Sequence, residues 1–312
     1  MNIRPLGETG LWVSEIGLGA WQLGNALWES RDEEKALRIV ASALDGGCNF
    51  FDTAPGYSEG RSEALLGRAL EGCRDKTVIC SKFGHTAEGT TEFYAAALRP
   101  AVEASLGRLR TDFIDVLLLH NPPVELLDGG IACELYAELE ALREEGKIRA
   151  FGASIDWSAE LRTLSETTRS KAAEILFNIF HQEPQSAFAM AADHGIGLIV
   201  KVPLDSGWLS GRYDASSVFK GVRARWPRSV IERRASLVER VRGLLPAGLS
   251  LPQAALKFVL SHPEVTSVIP GAKDVAQVQS NIAAADVQLP AEIFAAMRQL
   301  WEIELQDRPL PW

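Results

Sequence analysis

Short apolar runs and helix-like segments alternate along the chain about eight times, with no linker or hydrophobic gap between them. That alternation predicts strands over 15–19, 49–52, 78–82, 114–120, 148–154, 173–178, 198–202 and 267–269. Helices are predicted over 32–43, 62–70, 91–109, 131–145, 159–164, 184–194, 230–245, 252–261, 274–284 and 291–301. Asp32 is placed to cap the first, and Gly146 ends the fourth as a C-terminal glycine does. Residues 4–14, with Gly7 and Gly10, read as a β-hairpin ahead of the main fold. The series describes an α/β chain whose residues 1–312 form a single (β/α)8 TIM barrel domain with an N-terminal β-hairpin. A doubly wound sheet is the alternative, weakened because no GxGxxG follows the first strand.

Composition narrows the function. With 46% hydrophobic residues the chain can build a substantial core. A net charge of −9 speaks against nucleic acid, whose phosphates are bound by clustered cations. Cys48, Cys73, Cys80 and Cys133 show no CxxC spacing and no accompanying histidine cluster, so core packing is favoured over disulfides or a metal. No apolar run is long enough to cross a bilayer, and Met1 is not followed by an apolar signal core. The expectation is a cytoplasmic protein with a small-molecule partner, no membrane and no nucleic acid.

Three strands end on chemically useful residues. Asn49-Phe50-Phe51 delivers Asp52, followed by Thr53-Ala54-Pro55-Gly56-Tyr57; Val78-Ile79-Cys80-Ser81 delivers Lys82; Ile114 to Leu119 delivers His120. In a parallel barrel the C-terminal ends of strands are where chemistry sits. Carbonyl reduction needs a proton for the developing alkoxide. A free phenol titrates near ~10, so Tyr57 as donor calls for a cation beside it. Lys82 can be that cation, Asp52 can hold it charged, and neutral His120 can polarise and aim a carbonyl. Each residue alone has a plainer reading: Asp52 as a loop cap, Tyr57 as a half-buried aromatic, Lys82 as solvated, His120 as bonded into the turn before Pro122. Four complementary groups at the ends of consecutive strands make coincidence the weaker account.

The chain resembles the aldo-keto reductase superfamily nearly end to end. The resemblance rests on Gly17-Leu18-Gly19-Ala20-Trp21, on Phe51-Asp52-Thr53-Ala54 with Tyr57, Arg61-Ser62-Glu63 and Leu66-Gly67, and on Ser81-Lys82. It continues through Asp112 to Asp115 with Leu118-Leu119-His120, then Gly146 to Ser154, Pro203-Leu204 with Gly207, Leu209 and Gly211, and Ile269-Pro270-Gly271-Ala272 with Gln277 and Asn281. It implies an NAD(P)H-dependent oxidoreductase interconverting aldehydes or ketones and alcohols by hydride transfer, with Tyr57 as proton donor and Asp52, Lys82 and His120 in the roles above. A cofactor-binding regulatory subunit with little turnover is the alternative, since some barrels of this family serve channel complexes. A TIM-barrel aldolase or isomerase using Lys82 as a Schiff-base amine is a third.

By the same resemblance NADP (NADPH) is the cofactor. Gly19, Ala20, Trp21, Asp52, Ser154, Glu174 and Lys201 belong to its site, with Pro203, Leu204, Ser206, Gly207, Leu209, Ser210 and Gly211 wrapping the pyrophosphate. Ile269, Gly271, Lys273, Gln277 and Asn281 complete it, Lys273 meeting the 2′-phosphate at a helix N-terminus that favours anions. A solvated first-turn lysine is the plainer reading of Lys273. Trp21, Tyr57, Phe83 and His120 are the implied substrate contacts, with Trp28 as a further wall and Trp208 and Trp226 on loops that either close the site or pack. The 206–229 stretch reads as a basic loop.

Three positions depart from the family pattern: Ile155 where an asparagine is usual, Glu174 where a glutamine is usual, and Lys201 where an aromatic is usual. Glu174 and Lys201 fall on neighbouring predicted strands, and an unpaired buried charge is costly. They are expected to form one ion pair, the alternative being that either points outward into solvent.

Overall fold

The computed structural model describes residues 1–24 and 32–311, and at 222–223 the backbone alone. A hairpin of β1 (Ile3–Pro5) and β2 (Trp12–Ser14) precedes eight strands, counted among the described residues. These are β3 (Leu18–Gly19), β4 (Phe50–Asp52), β5 (Val78–Phe83), β6 (Ile114–His120), β7 (Ile148–Ile155), β8 (Ala172–Leu176), β9 (Gly197–Lys201) and β10 (Val265–Val268). They pair in parallel in sequence order. Parallel bridges Ile16–Val268 and Gly19–Gly271 join the two ends, so the sheet closes into the expected barrel.

The helices covering it are α1 (Glu33–Asp45), α2 (Arg61–Ala69), α3 (Ala95–Leu109), α4 (Cys133–Glu144), α5 (Ser158–Thr167), α6 (Phe188–Asp193), α7 (Arg228–Leu244), α8 (Leu251–Leu260), α9 (Val275–Ala283) and α10 (Ala291–Glu304). Asp32 caps α1, accepting from Lys35 N at 3.0 Å, and Gly146 takes the left-handed conformation after α4.

Strand alternation sorts side chains into two cores. Phe50, Val78, Cys80, Val116, Leu118, Ala172, Ile199 and Ile269 fill the barrel interior, while Phe51, Ile79, Leu117, Leu119, Ile175, Leu198 and Val200 meet the helices. Each large apolar side chain so buried contributes about 1.5–3 kcal/mol. The hairpin plugs the bottom of the barrel with Leu6 and Val13, which join the inner core. Gly7 lets it come this close: with φ +51° it lies where a Cβ would stand 2.3 Å from Gly197 N.

Two predicted helices change shape. The third begins at Ala95, because residues 91–94 fold back on the loop after β5: Glu92 N donates to Gly84 O at 2.7 Å, and the Phe93 ring occupies the space a Cβ on Gly84 would fill. The 184–194 segment divides into a 3-10 stretch (Glu183–Ala187) and α6, Pro184 supplying no N–H for a regular first turn. The 206–229 stretch holds 3-10 turns at Asp205–Ser210 and Gly221–Arg225.

At the N-terminal end of β6, buried Asp115 pairs with Arg74 at 2.7 Å and Arg149 at 3.0 Å and accepts from Ile79 N at 2.9 Å. Both guanidiniums lie over Phe113. Conserving shape but not charge, Asp115→Asn is expected to destabilise the barrel toward the low end of the ~3–5 kcal/mol seen for broken buried pairs, because both arginines reach solvent. Urea melts check the stability, and ligand affinity in the cleft at the opposite end should not move.

Candidate active site

The alternation that packs the interior also builds its upper layer. Above Phe50, Cys80, Leu118, Ala172 and Ile199, the next inward positions are Asp52, Lys82, His120, Glu174 and Lys201. Ser154 stands level with His120 on one side and Glu174 on the other. The expected tetrad therefore converges. Lys82 is fully buried and donates to Asp52 Oδ2 and, at 3.1 Å, to Thr53 O. Tyr57 returns over the mouth through left-handed Ser58, Glu59 and Gly60, and Lys82 Nζ lies 5.3 Å from its ring centre. The His120 ring meets Tyr57 edge-on at 5.8 Å between centres and His85 at 5.0 Å.

Electrostatics assign protonation states. Burial would discharge Lys82, but Asp52 and Glu174 hold it well above the usual lysine value, so it is an ammonium. An ammonium enclosed by two carboxylates is a poor Schiff-base nucleophile, which speaks against the aldolase reading. Burial, then Lys82, push His120 well below the usual imidazole value, leaving it neutral. Burial also raises the Tyr57 phenol. Lys82 pulls it back, but Asp52 and Glu174 push with burial and the net shift is upward. The expected depression of the phenol by Lys82 is therefore outweighed, and Tyr57 keeps its proton at neutral pH.

The expected Glu174–Lys201 pair is not what forms. Glu174 Oε2 lies 3.1 Å from Lys82 Nζ, whereas Lys201 pairs with Asp156 at 2.9 Å and donates to Asn121 Oδ1 at 2.8 Å. The register explains the difference: Lys201 stands opposite Leu176, one side-chain layer above Glu174, which stands opposite Ile199. Ser154 Oγ links the two, donating to Glu174 Oε1 at 2.9 Å and accepting from Lys201 at 2.8 Å. Ile155 is buried in the outer core and faces away from this cluster.

A cleft of about 580 Å³ opens above these groups. Its walls include Gly19, Trp21, Asp52, Tyr57, His120, Glu174 and Lys201 below; Pro203, Leu204, Ser206, Gly207 and Ser210 on one side; and Ile269, Gly271, Lys273, Gln277 and Asn281 on the other. Ala20, Ser154, Leu209 and Gly211 do not line it: Ala20 and Leu209 are buried in the outer core, Ser154 is buried beneath the cleft between Glu174 and Lys201, and Gly211 packs against Arg242. Phe83 does not line the cleft either. It follows Lys82 and so faces outward, packed edge-on against Phe93. Trp208 and Trp226 pack with Tyr213 and Phe219, and Arg234 lies over Trp226 while pairing with Asp205 at 3.0 Å. Trp28 lies outside the described residues.

Several cleft residues escaped sequence reading. Gln22, Asn121, Arg212, Tyr213 and Ser280 also line it. Asp156 carries the signal that singled out Asp52, an acid directly after an apolar strand, and Asn121 occupies a left-handed turn before Pro122.

The cleft offers unpaired polar groups to a ligand. Buried Gln22 Oε1 and His120 Nδ1 have no hydrogen-bond partner among the described residues, and both residues line it. Val202, Asp205, Ser206 and Gly207 adopt positive φ after β9, a conformation unusual for branched Val202. Asn178 Nδ2 braces that strained turn at Val202 O, 3.1 Å away. Opposite, Asp274 caps α9, and Gln277 and Asn281 side chains tie the turn at Lys273 N and Gly271 O.

The sequence profile of the aldo/keto reductase family matches residues 15–302. The NADH-specific methylglyoxal reductase of Escherichia coli is 29% identical, over 97% of this chain and 99% of its own. An Arabidopsis thaliana protein named a probable voltage-gated potassium channel subunit beta is 30% identical, over 92% of each chain. The holo form of an aldo-keto reductase from Bacillus halodurans superposes with a TM-score of 0.84, at 28% identity and 99% coverage of both chains. Together with the barrel and the converging residues at its mouth, these similarities establish that the chain belongs to the aldo/keto reductase family of oxidoreductases.

Proposed function

We propose that the protein interconverts aldehydes or ketones and alcohols with NADPH, Tyr57 acting as proton donor in the reducing direction. The observation that carries this reading is the convergence of a neutral phenol, a neutral imidazole and a buried ammonium on one end of the cleft. Held in that cleft, a nicotinamide cofactor supplies or accepts the hydride. Glu174 and Lys201 would hold it nearest Tyr57, the Pro203–Ser210 turn and the α9 N-terminus further out.

Around a carbonyl at this end, His120 polarises the oxygen through a ring N–H and Tyr57 passes its proton to the same oxygen as charge develops there. Lys82 stabilises the phenolate left behind, and Asp52 fixes the ammonium in place. Trp21 and the His120 ring supply flat contact surface for the substrate.

Incubating the protein with NADPH and a panel of carbonyl compounds tests this, read as loss of the reduced cofactor's absorbance. Tight NADPH binding without consumption across the panel would favour the regulatory reading that the Arabidopsis similarity suggests.

Lys273 supports NADPH over NADH, since it lines the cleft beside the α9 N-terminus. Against it stands the NADH-specific Escherichia coli relative. Lys273→Ala is expected to weaken NADPH about tenfold or more, as loss of a charge-assisted contact does, and to leave NADH nearly unchanged. Fluorescence titrations of both cofactors check this; equal losses would remove Lys273 from 2′-phosphate recognition.

A further inference from the structure

Two carboxylates, not one, surround the buried ammonium at the centre of this site. Lys82 Nζ contacts Asp52 Oδ2 and lies 3.1 Å from Glu174 Oε2, and all three side chains are essentially inaccessible to water. One oxygen of each carboxyl group and the Cys80 sulfur lie within 4.8 Å of one another. With both carboxylates ionised, the cluster carries a net −1 charge inside the barrel. Burying an uncompensated charge costs several kcal/mol. Two carboxyl groups this close relieve the cost by keeping one proton between them.

The hydrogen bonds show where that proton belongs. Glu174 Oε1 already accepts from Ser154 Oγ at 2.9 Å, and Ser154 accepts in turn from Lys201. Glu174 Oε2, facing Asp52, is buried 3.1 Å from the Lys82 ammonium but makes no hydrogen bond of regular geometry. A protonated Asp52 can donate to it. The other titratable and charged groups facing Glu174 do not displace this arrangement. Burial holds the Cys80 thiol well above its ordinary value and Tyr57 likewise keeps its proton. His120 is neutral, and Lys201 is committed to Asp156.

We propose that Glu174 is a positioning residue that forms the second carboxylate contact to Lys82 and shares a single proton with Asp52 at neutral pH, making the buried cluster electrically neutral. The directions of titration agree. Burial, then Glu174, raise Asp52 well above the ordinary carboxylate range. Burial works to raise Glu174 too, but Lys82 and Lys201 outweigh it and hold it at about 2. The consequence for chemistry rests on the reading of Tyr57 as proton donor. Loss of the shared proton at alkaline pH returns the cluster to net −1 and makes the phenolate harder to form.

Infrared spectroscopy of the unliganded protein tests the shared proton without cofactor or turnover. The wild type is expected to show the C=O stretch of a protonated carboxylic acid at neutral pH, shifted in heavy water. Glu174→Gln should lose it, because Lys82 then pairs with a fully ionised Asp52, and Asp52→Asn should lose it from the other side. The pH dependence of stability gives a second readout. Between the ordinary carboxylate range and the raised Asp52 value, the native state holds a proton that the unfolded chain has released, so wild-type stability falls as pH rises through that window. Glu174→Gln should flatten this slope. The same variant should lower the Tyr57 titration by roughly one pH unit or more, assigned by comparison with Tyr57→Phe. A wild type without the acid band, or a band and slope that survive Glu174→Gln, overturns the proposal even if carbonyl turnover is found. A protein that shows the band but reduces no carbonyl leaves the shared proton standing and removes the proposed activity alone.

Discussion

Tyr57→Phe is expected to lower carbonyl turnover by roughly a hundred- to ten-thousand-fold, the range a positioned general acid contributes. The substitution removes one oxygen and leaves the ring. Its edge contact with His120 and its cover over Lys82 persist, so the cleft keeps its shape. NADPH affinity should therefore change little, and the loss should appear in kcat and kcat/KM together, as for an interaction made only in the transition state. Steady-state kinetics with cofactor titration separate the two quantities. Comparable kcat in variant and parent would sink the proton-donor assignment. A matching loss of cofactor affinity would instead mean that the phenol serves binding.

Lys82→Met is expected to lose turnover and also to destabilise the fold by about 3–5 kcal/mol at neutral pH, the cost of breaking a buried ion pair from one side. Lys82 is enclosed by Asp52, Glu174 and Thr53 O, and methionine supplies neither charge nor donor to any of them. Without the ammonium both carboxyl groups have their folded-state titration raised. Stability then falls as pH rises through the window between the unfolded carboxylate values and the raised folded ones, and recovers as acid protonates them. Urea melts at acid, neutral and alkaline pH should show a variant that nears the parent in acid and departs from it with rising pH. A deficit independent of pH would mean lost packing, not unpaired charge.

The barrel was legible because its signals are local. A strand buried on both faces must be short and apolar, a parallel neighbour demands an intervening helix, and repetition of that unit has few solutions. The tetrad was legible for the same reason. Side chains two apart share a face, so a polar residue closing an apolar inward row must emerge at the barrel's mouth, as Asp52, Lys82 and His120 do. Asp32 announced its helix through cap chemistry that needs only the next few residues.

Tertiary structure decided what lies between strands. Adjacency of β8 and β9 was readable, but not their offset, and the offset lifts Lys201 one layer above Glu174, so Lys201 pairs with Asp156 while Glu174 reaches Lys82 across the barrel. Phe83 sits one residue beyond Lys82, and that single step turns it to the outer core. Trp208 and Trp226 looked equally suited to a lid or to packing, and the pairing of Arg234 with Asp205 places them in the packed cluster. Sequence alone fixes which face a side chain takes along its own strand. Partner, layer and net charge of a buried cluster depend on stagger between strands distant in sequence, and only the closed barrel sets that stagger.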